Sequence, residues 1–422
     1  MSTAPDCWTS TTIGEVTLPV DKHRPEDEPT QEFRYVDISS IDNRRNRVVE
    51  PKLVLGRDAP SRARQVVRAG DTVLSTVRTY LKNTAIVPAD LDGATASTGF
   101  SVLRPDPNRV DPRFLFYRVL EQGFVESLSE KQTGTSYPAV RDRDVRAMAF
   151  SYPPLDEQRW IVEVIEEQFS RLDAGAASLQ RTNRNVARLH ASILAAAAHG
   201  KLDTPTGEFR GDGEHWRRTT LGELLISIEA GKSFRVLTRP AAEDEWGVIK
   251  VSAMTWGSFR EDENKALPTG MRFDPDFEIA EGDLLLSRAN TSEYVGATVL
   301  VPATRPRLLL SDKSMRLHVR EGVNKRWLWY TLLAPPLRSQ MSAVATGTSD
   351  SMRNISQAKV RGLSIKVPPL DIQIAVVMEV DRRLSVIDAL EVAVENALTR
   401  SDTLRNSVLR AAFSGNLQEA RR

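Results

Sequence analysis

The sequence predicts an α+β protein in which two pseudo-symmetric globular domains are separated by two long helices forming an intramolecular antiparallel coiled coil. Three observations predict it. An internal duplication covers nearly the whole chain, the first part of each copy carries strand-sized apolar runs, and the second part carries a heptad stripe. The expected division is a globular domain at 1–152, a central helical spacer at 153–202, a second globular domain at 203–367 and a C-terminal helical spacer at 368–422.

The duplication is read most directly from "PPLDEQRWIVEVIE" at Pro153 and "PPLDIQIAVVMEVD" at Pro368. Aligned from these prolines without a gap, sixteen of fifty positions are identical, among them Gln158 with Gln373, Asp173 with Asp388 and Gly200 with Gly415. Upstream, "VDPRFLFYRVL" from Val110 matches "VNKRWLWYTLL" from Val323, and "TGTS" at Thr133–Ser136 recurs at Thr346–Ser349. "AGDTVLS" from Ala69 resembles "EGDLLLS" from Glu281, and Trp8 and Gly14 correspond to Trp216 and Gly222. The offset drifts only from 208 to 215, so a unit of about two hundred residues has been duplicated.

In the globular parts, "RYVDIS", "DTVLSTV", "TAIVP", "GVIKVS", "DLLLS" and "ATVLVP" are short apolar runs bounded by Gly, Pro, Asn and Asp. Such runs read as strands joined by turns. A helix is expected over 112–128 and again over 325–344, where Pro335-Pro336 marks a break.

The spacers read as helices because Pro153-Pro154 forbids helix before them, Asp156 offers an N-cap and Gly200 a stop. Ile165, Leu172, Leu179, Val186 and Ile193 recur every seven residues, with Phe169 and Ala176 in companion positions. The second copy places Val380, Ile387, Val394 and Val408 on the same seam, interrupted by Ser401. About 44 residues at ~1.5 Å each make a rod of roughly 65 Å. A lone rod with one apolar seam is unstable in water, so the two seams are expected to pack on each other. Asn183, polar on the first seam, is expected to fix register.

Composition narrows the class. With 41% apolar and 27% charged residues the chain is an ordinary globular one, and its length exceeds what a single core usually supports. No apolar run approaches the ~20 residues that span a bilayer, no basic-then-apolar leader is visible, and a single cysteine, Cys7, excludes an internal disulfide. These features point to the cytoplasm. The net charge is +1, yet the stretch from Arg44 to Lys82 holds ten basic and three acidic residues. That excess is either a solvated face or a surface that steers a polyanion. No Asn- or Asp-Pro-Pro-aromatic run of the amino-methyltransferase kind occurs. "AGKS" at Ala230–Ser233 lacks the upstream glycine of a phosphate loop, and the five histidines have no metal-ligand spacing. The expectation is a non-catalytic protein.

Two similar heads at a fixed separation suit a ligand that repeats along a line, and duplex DNA presents half-sites about one helical turn (~34 Å) apart. With the paired PPLD openings, the heptads, the endings "ASILAAAAHGKL" and "NSVLRAAFSGNL", the TGTS segments, and "STVRTYLKNTAIV" and "LLLSRANTSEYVG" in the heads, the chain resembles the DNA-recognition (specificity) subunits of type I restriction–modification systems. The resemblance implies that each head is a target recognition domain reading one half of a split DNA target. It implies that the coiled coil sets the unread gap and docks two methyltransferase subunits, with translocase–nuclease subunits able to join. Adenine methylation from S-adenosylmethionine would belong to the partner methyltransferase, and ATP and magnesium to a partner translocase. Ile372, where the family's second opening carries an acidic residue, and Ser401 are departures that bear on the second helix's contacts.

Candidate DNA contacts are drawn from residue types that read base edges or hold phosphates. In the first head they are Asn43, Arg44, Arg45 and Arg47 of "NRRNR", and Arg78, Thr79, Tyr80 and Lys82 of "TVRTYLKN". In the second they are Lys232, Ser233 and Arg235 of "GKSFR", and Arg288, Asn290, Thr291 and Tyr294 of "SRANTSEY". The bland alternative has Arg78 and Arg288 bracing carboxylates. The TGTS glycines either let a phosphate approach or simply let the chain turn, and the second account is preferred. A scaffold whose heads bind protein instead of DNA shares this architecture, and so does an enzyme with an unfamiliar site.

Overall fold

The computed structural model describes residues 7–134, 137–202, 216–255, 257–350 and 352–416. The chain divides into two compact units. One is Met1–Gln180 with Glu395–Arg422, the other Arg181–Val394. The boundaries therefore cut through both long helices instead of separating helices from heads, because each half-helix buries its apolar stripe against the head of its own unit.

In the first unit, one four-stranded sheet runs in the order Thr17–Leu18, Phe100–Pro105, Thr72–Ser75, Thr84–Ile86, all antiparallel. A second sheet orders Lys52–Leu55, Glu32–Val36, Thr95–Ser97 and Ala63–Val66, with one parallel pairing between Tyr35 and Thr95. Thr9–Thr12 pairs with Ala149–Tyr152, which leads directly into the first long helix, Leu155–His199. The second unit repeats the plan. Its four-stranded sheet runs Leu225–Ala230, Ser314–Val319, Leu284–Ser287, Thr298–Leu300. Arg217–Thr220 pairs with Ser364–Val367 ahead of the second long helix, Leu370–Phe413.

The expected single helix at 112–128 is two, Pro112–Leu120 and Gln122–Ser129. No proline breaks it. Glu121 turns out of helical geometry, its carboxylate accepts from the Gly123 and Phe124 amides, and Arg118 donates to it at 2.8 Å. The counterpart pair, Lys325–Leu333 and Pro335–Val344, breaks at Pro335 as expected. The long helix begins at Leu155, so Asp156 lies in its first turn, facing the positive end of the helix dipole, and does not cap it. Gly200 follows the helix at φ +69°.

Each unit's principal core joins its head to both long helices. In the first, Trp8, Phe114 and Phe150 pack with Ile161, Ile165 and Phe169 from the start of the first helix, and with Leu409, Ala412 and Phe413 from the end of the second. The Arg405 guanidinium lies 4.3 Å from the Phe169 ring centre and pairs with Asp173. In the second unit, Leu221, Trp327 and Ile365 pack with Val376, Val380 and Ile387, and with Val186, Ile193 and Leu194. Inside each unit the start of one helix thus meets the end of the other, the relation an antiparallel pair requires. Of the expected seam, Ile165, Val186, Ile193, Val380, Ile387 and Val394 are buried, while Leu172, Leu179 and Val408 are half-buried, as is Ser401. Asn183 is exposed, so it fixes no register from within the seam. Among the described residues no helix is long and apolar enough to cross a membrane.

Candidate nucleic-acid interface

In the first head, two of the stretches singled out in the sequence come together. Ile41–Asp42 and Arg47–Val48 form a hairpin whose turn is "NRRN". The Asp42 carboxylate accepts from the Arg44 and Arg45 amides at 3.0 and 3.2 Å, an aspartate turn, and Asn46 takes the left-handed φ of +52° that asparagine tolerates. Asn43 Nδ2 donates to the Leu81 carbonyl, and Asn46 Nδ2 to those of Lys82 and Thr84. The basic turn is thereby fastened to the 78–82 loop. That loop is itself strained: Arg78 and Lys82 adopt φ of +49° and +52°, costing on the order of 1 kcal/mol each. Such strain persists only where surrounding bonds enforce it, here Arg78 N donating to the Pro138 carbonyl at 2.8 Å. Arg44 and Arg47 are exposed and make no ion pair among the described residues.

In the second head, the two stretches flank one turn, 311–314. Lys232 bridges to Ser311 on one side, and the Arg288 amide donates to the Lys313 carbonyl on the other. Lys232, Ser233 and Arg235 are exposed, and the Lys232 ammonium stands 4.8 Å from the Phe277 ring centre. Ala289–Asn290 pairs with Met352–Asn354, which pairs with Thr346–Ser349, so the "SRAN" and TGTS segments form one three-stranded sheet. Here Asn290 Nδ2, Thr291 Oγ1 and Arg353 Nε are buried without a hydrogen-bond partner among the described residues.

The GD turn shared by the heads has a structural cause. Asp71 receives Arg104 at 2.9 Å, and Asp283 receives Arg316 at 3.0 Å, with both arginine side chains about one-tenth exposed. Each aspartate also caps its own turn, accepting from the Arg68 and Ala280 amides respectively. The helix openings are explained in the same way. Gln158, fully buried, donates to the Arg109 and Pro153 carbonyls and accepts from the Asp111 amide at 2.9 Å. Gln373 donates to the Pro368 carbonyl and accepts from the Asn324 amide at 2.8 Å. Arg113–Glu166 at 2.9 Å and Arg326–Asp381 at 3.0 Å brace the same joints. Burial, reinforced by its bond to Asp381, pushes the Tyr330 hydroxyl up to about 12, so it stays a proton donor at that joint.

No family model matches the chain. Solved structures do. A chain from work on complex assembly of the type I R-M system is 30% identical, with a TM-score of 0.76, over 97% of this chain and 98% of that one. The HsdS subunit from Thermoanaerobacter tengcongensis is also 30% identical, with a TM-score of 0.53, over 98% of both. The chain belongs to the type I restriction–modification specificity subunits. Among curated relatives, the EcoEI specificity subunit of Escherichia coli is 31% identical over 201 residues, which is 47% of this chain and 34% of that protein. The EcoKI subunit is 23% identical over 322 residues, 75% of this chain and 68% of that one. The chain thus spans about a third of the first relative's length and two thirds of the second's.

For this specificity subunit, the structure redistributes several of the candidate contacts. Thr79 is buried, its hydroxyl shared with Ser129 and Gln132 at 2.8 Å, so it holds the loop and is not presented. Lys82 turns inward to Asn406 of the second long helix at 3.2 Å, and burial draws its ammonium below the ordinary value. Tyr80 remains exposed, Tyr294 is half-buried, and Arg288 and Arg78 are partly covered, the latter lying 5.0 Å from the Tyr137 ring centre. Thr135 and Ser136 lie outside the described residues. The sequence reading did not single out Tyr137, which directly follows the first TGTS segment, or Arg353, four residues beyond the second. Among the described residues no group of three or more His, Cys, Asp or Glu side chains could hold a metal ion.

Proposed function

We propose that the chain is the DNA-reading subunit of a type I restriction–modification enzyme, each head reading one half of a split target. One observation carries this reading. The joints and ion pairs are duplicated position for position, whereas the loops mounted on them differ: "NRRNR" with Arg78 in one head, "GKSFR" with Arg288 and Asn290 in the other. A common frame carrying unlike readers suits a ligand with two unlike halves. The paired helices then set the unread gap and dock two methyltransferase subunits, with translocase–nuclease subunits joining where restriction is performed. The subunit itself performs no chemistry. Methyl transfer to adenine draws on S-adenosylmethionine held by the methyltransferase, and translocation draws on ATP and magnesium held by the translocase.

Mapping methylated adenines in the host genome with and without this gene tests the reading. The expected result is a bipartite motif that disappears with the gene, of which one half changes when either head is exchanged. A motif whose two halves change together overturns the division of labour, and a methylome indifferent to the gene overturns the reading itself.

A further inference from the structure

Shortly after each TGTS segment the chain presents one large, exposed apolar side chain. In the first head Thr133 pairs with Ala139, in the second Thr346 pairs with Asn354, and both chains then turn inward at the buried Val140 and Ile355. Each TGTS glycine faces the carbonyl oxygen of the residue that carries that side chain, closely only in the second head. A Cβ on Gly134, whose φ is +95°, would lie 3.4 Å from the Tyr137 carbonyl oxygen. One on Gly347 would lie 2.3 Å from that of Met352. The two residues are Tyr137, 73% exposed, and Met352, 58% exposed, the latter paired with Ser349 in the strand ladder.

Tyr137 has a cationic neighbour from elsewhere in its head, and Met352 has one next to it in sequence. In the first head Arg78 lies across the Tyr137 ring, and its amide is bonded to Pro138. In the second Arg353 follows Met352 directly and stands opposite Asn290, the residue at the Arg78 position. An exposed apolar side chain with a guanidinium lying across it, as at Tyr137, matches a base step flanked by phosphates. It matches an apolar protein surface poorly, because docking there would strip water from the guanidinium.

Resting on the reading above, we infer that Tyr137 and Met352 are wedges, each packing its side chain into a base step of its own half-site. The hydroxyl of Tyr137 is not needed for this, and neither wedge contributes a released counterion. The contact adds affinity that salt does not weaken, alongside the phosphate contacts that salt does weaken.

The test uses the complex of this subunit with its methyltransferase partner and a duplex carrying the mapped motif, with 2-aminopurine walked through each half. Wild type is expected to raise the fluorescence at one step in each half. Tyr137→Ala should abolish the rise in the first half only and weaken binding about tenfold, with the salt slope unchanged. Tyr137→Phe should behave as wild type, and Met352→Ala should give the same losses in the second half. Three outcomes would overturn the wedge: Tyr137→Ala indistinguishable from wild type, a salt slope lowered as in Arg78→Ala (Tyr137 then only carries Arg78), or weakened capture of the methyltransferase with DNA binding intact. If wild type itself binds the duplex without steep salt dependence, the DNA reading fails as well.

Discussion

The two heads share their joints and differ at their surfaces. Asp71–Arg104 corresponds to Asp283–Arg316, Gln158 to Gln373, and Arg113–Glu166 to Arg326–Asp381. What stands on this frame diverges. The first head fastens a basic hairpin to a strained loop through asparagine side chains, whereas the second builds a three-stranded sheet with unpaired polar atoms at its centre. The lesson is that repeated residues in this chain report scaffold, whereas the surfaces carried on that scaffold are not repeated. The repeated TGTS segment bridges the two classes, since its glycine is scaffold and a residue shortly after it is exposed.

The largest test of that division removes an ion-pair partner. Asp71→Ala leaves Arg104 in the core of the first head with only the exposed Asp21 at 3.5 Å, whereas Asp283→Ala leaves Arg316 with Glu229 at 3.2 Å. The first is expected to cost about 3–5 kcal/mol and the second less, read as an earlier unfolding transition in calorimetry, with the untouched head unfolding as before. A loss confined to DNA binding would mean that the GD turn reads DNA after all.

Replacing the latch glutamine is next. Gln158→Leu leaves two carbonyls and the Asp111 amide without partners, while Gln373→Leu leaves the Pro368 carbonyl and the Asn324 amide. About 1–3 kcal/mol is expected for each, the first the larger, by chemical denaturation. The glycines separate the hairpins. Gly347→Ala meets backbone at 2.3 Å and must rearrange its strand pair at about 1–3 kcal/mol, whereas Gly134→Ala meets only the strain of a positive φ, about 1 kcal/mol. Hydrogen exchange at Arg353 and Ala139 reports which hairpin opens.

Arg44→Ala with Arg47→Ala should leave stability within about 0.5 kcal/mol, because neither side chain is paired. The slope of log affinity against log salt should flatten by up to about two if both meet phosphates. The smallest effect distinguishes the helices. Glu379 on the second helix is held down to about 2, chiefly by its bond to Arg382 and also by Arg383, and the aligned position on the first helix is Val164. A carboxylate with a depressed folded value stabilises above its unfolded value of 4.5, and that stabilisation fades as pH falls towards 2. Wild type should therefore melt above Glu379→Gln at pH 7, with the gap closing between pH 4.5 and pH 2.

Sequence alone determined the duplication, the two long helices, their stops and most of the buried seam, because heptad spacing, Pro-Pro and Gly act on neighbouring residues. It also located the loops after the GD turns. Side-chain capping and long-range pairing decided the rest. Glu121 breaks a helix that periodicity makes continuous, because a carboxylate buried beside Arg118 caps better than it continues. Thr79 and Lys82, polar and well placed in the sequence, turn inward to Ser129, Gln132 and Asn406, residues 50 to 324 positions away. No local pattern shows that Tyr137 and Met352 are left in solvent, since exposure depends on which strands arrive beside them. Periodicity is a property of adjacent residues and is written in the chain, while accessibility is a property of what packs from elsewhere and exists only once the chain has folded.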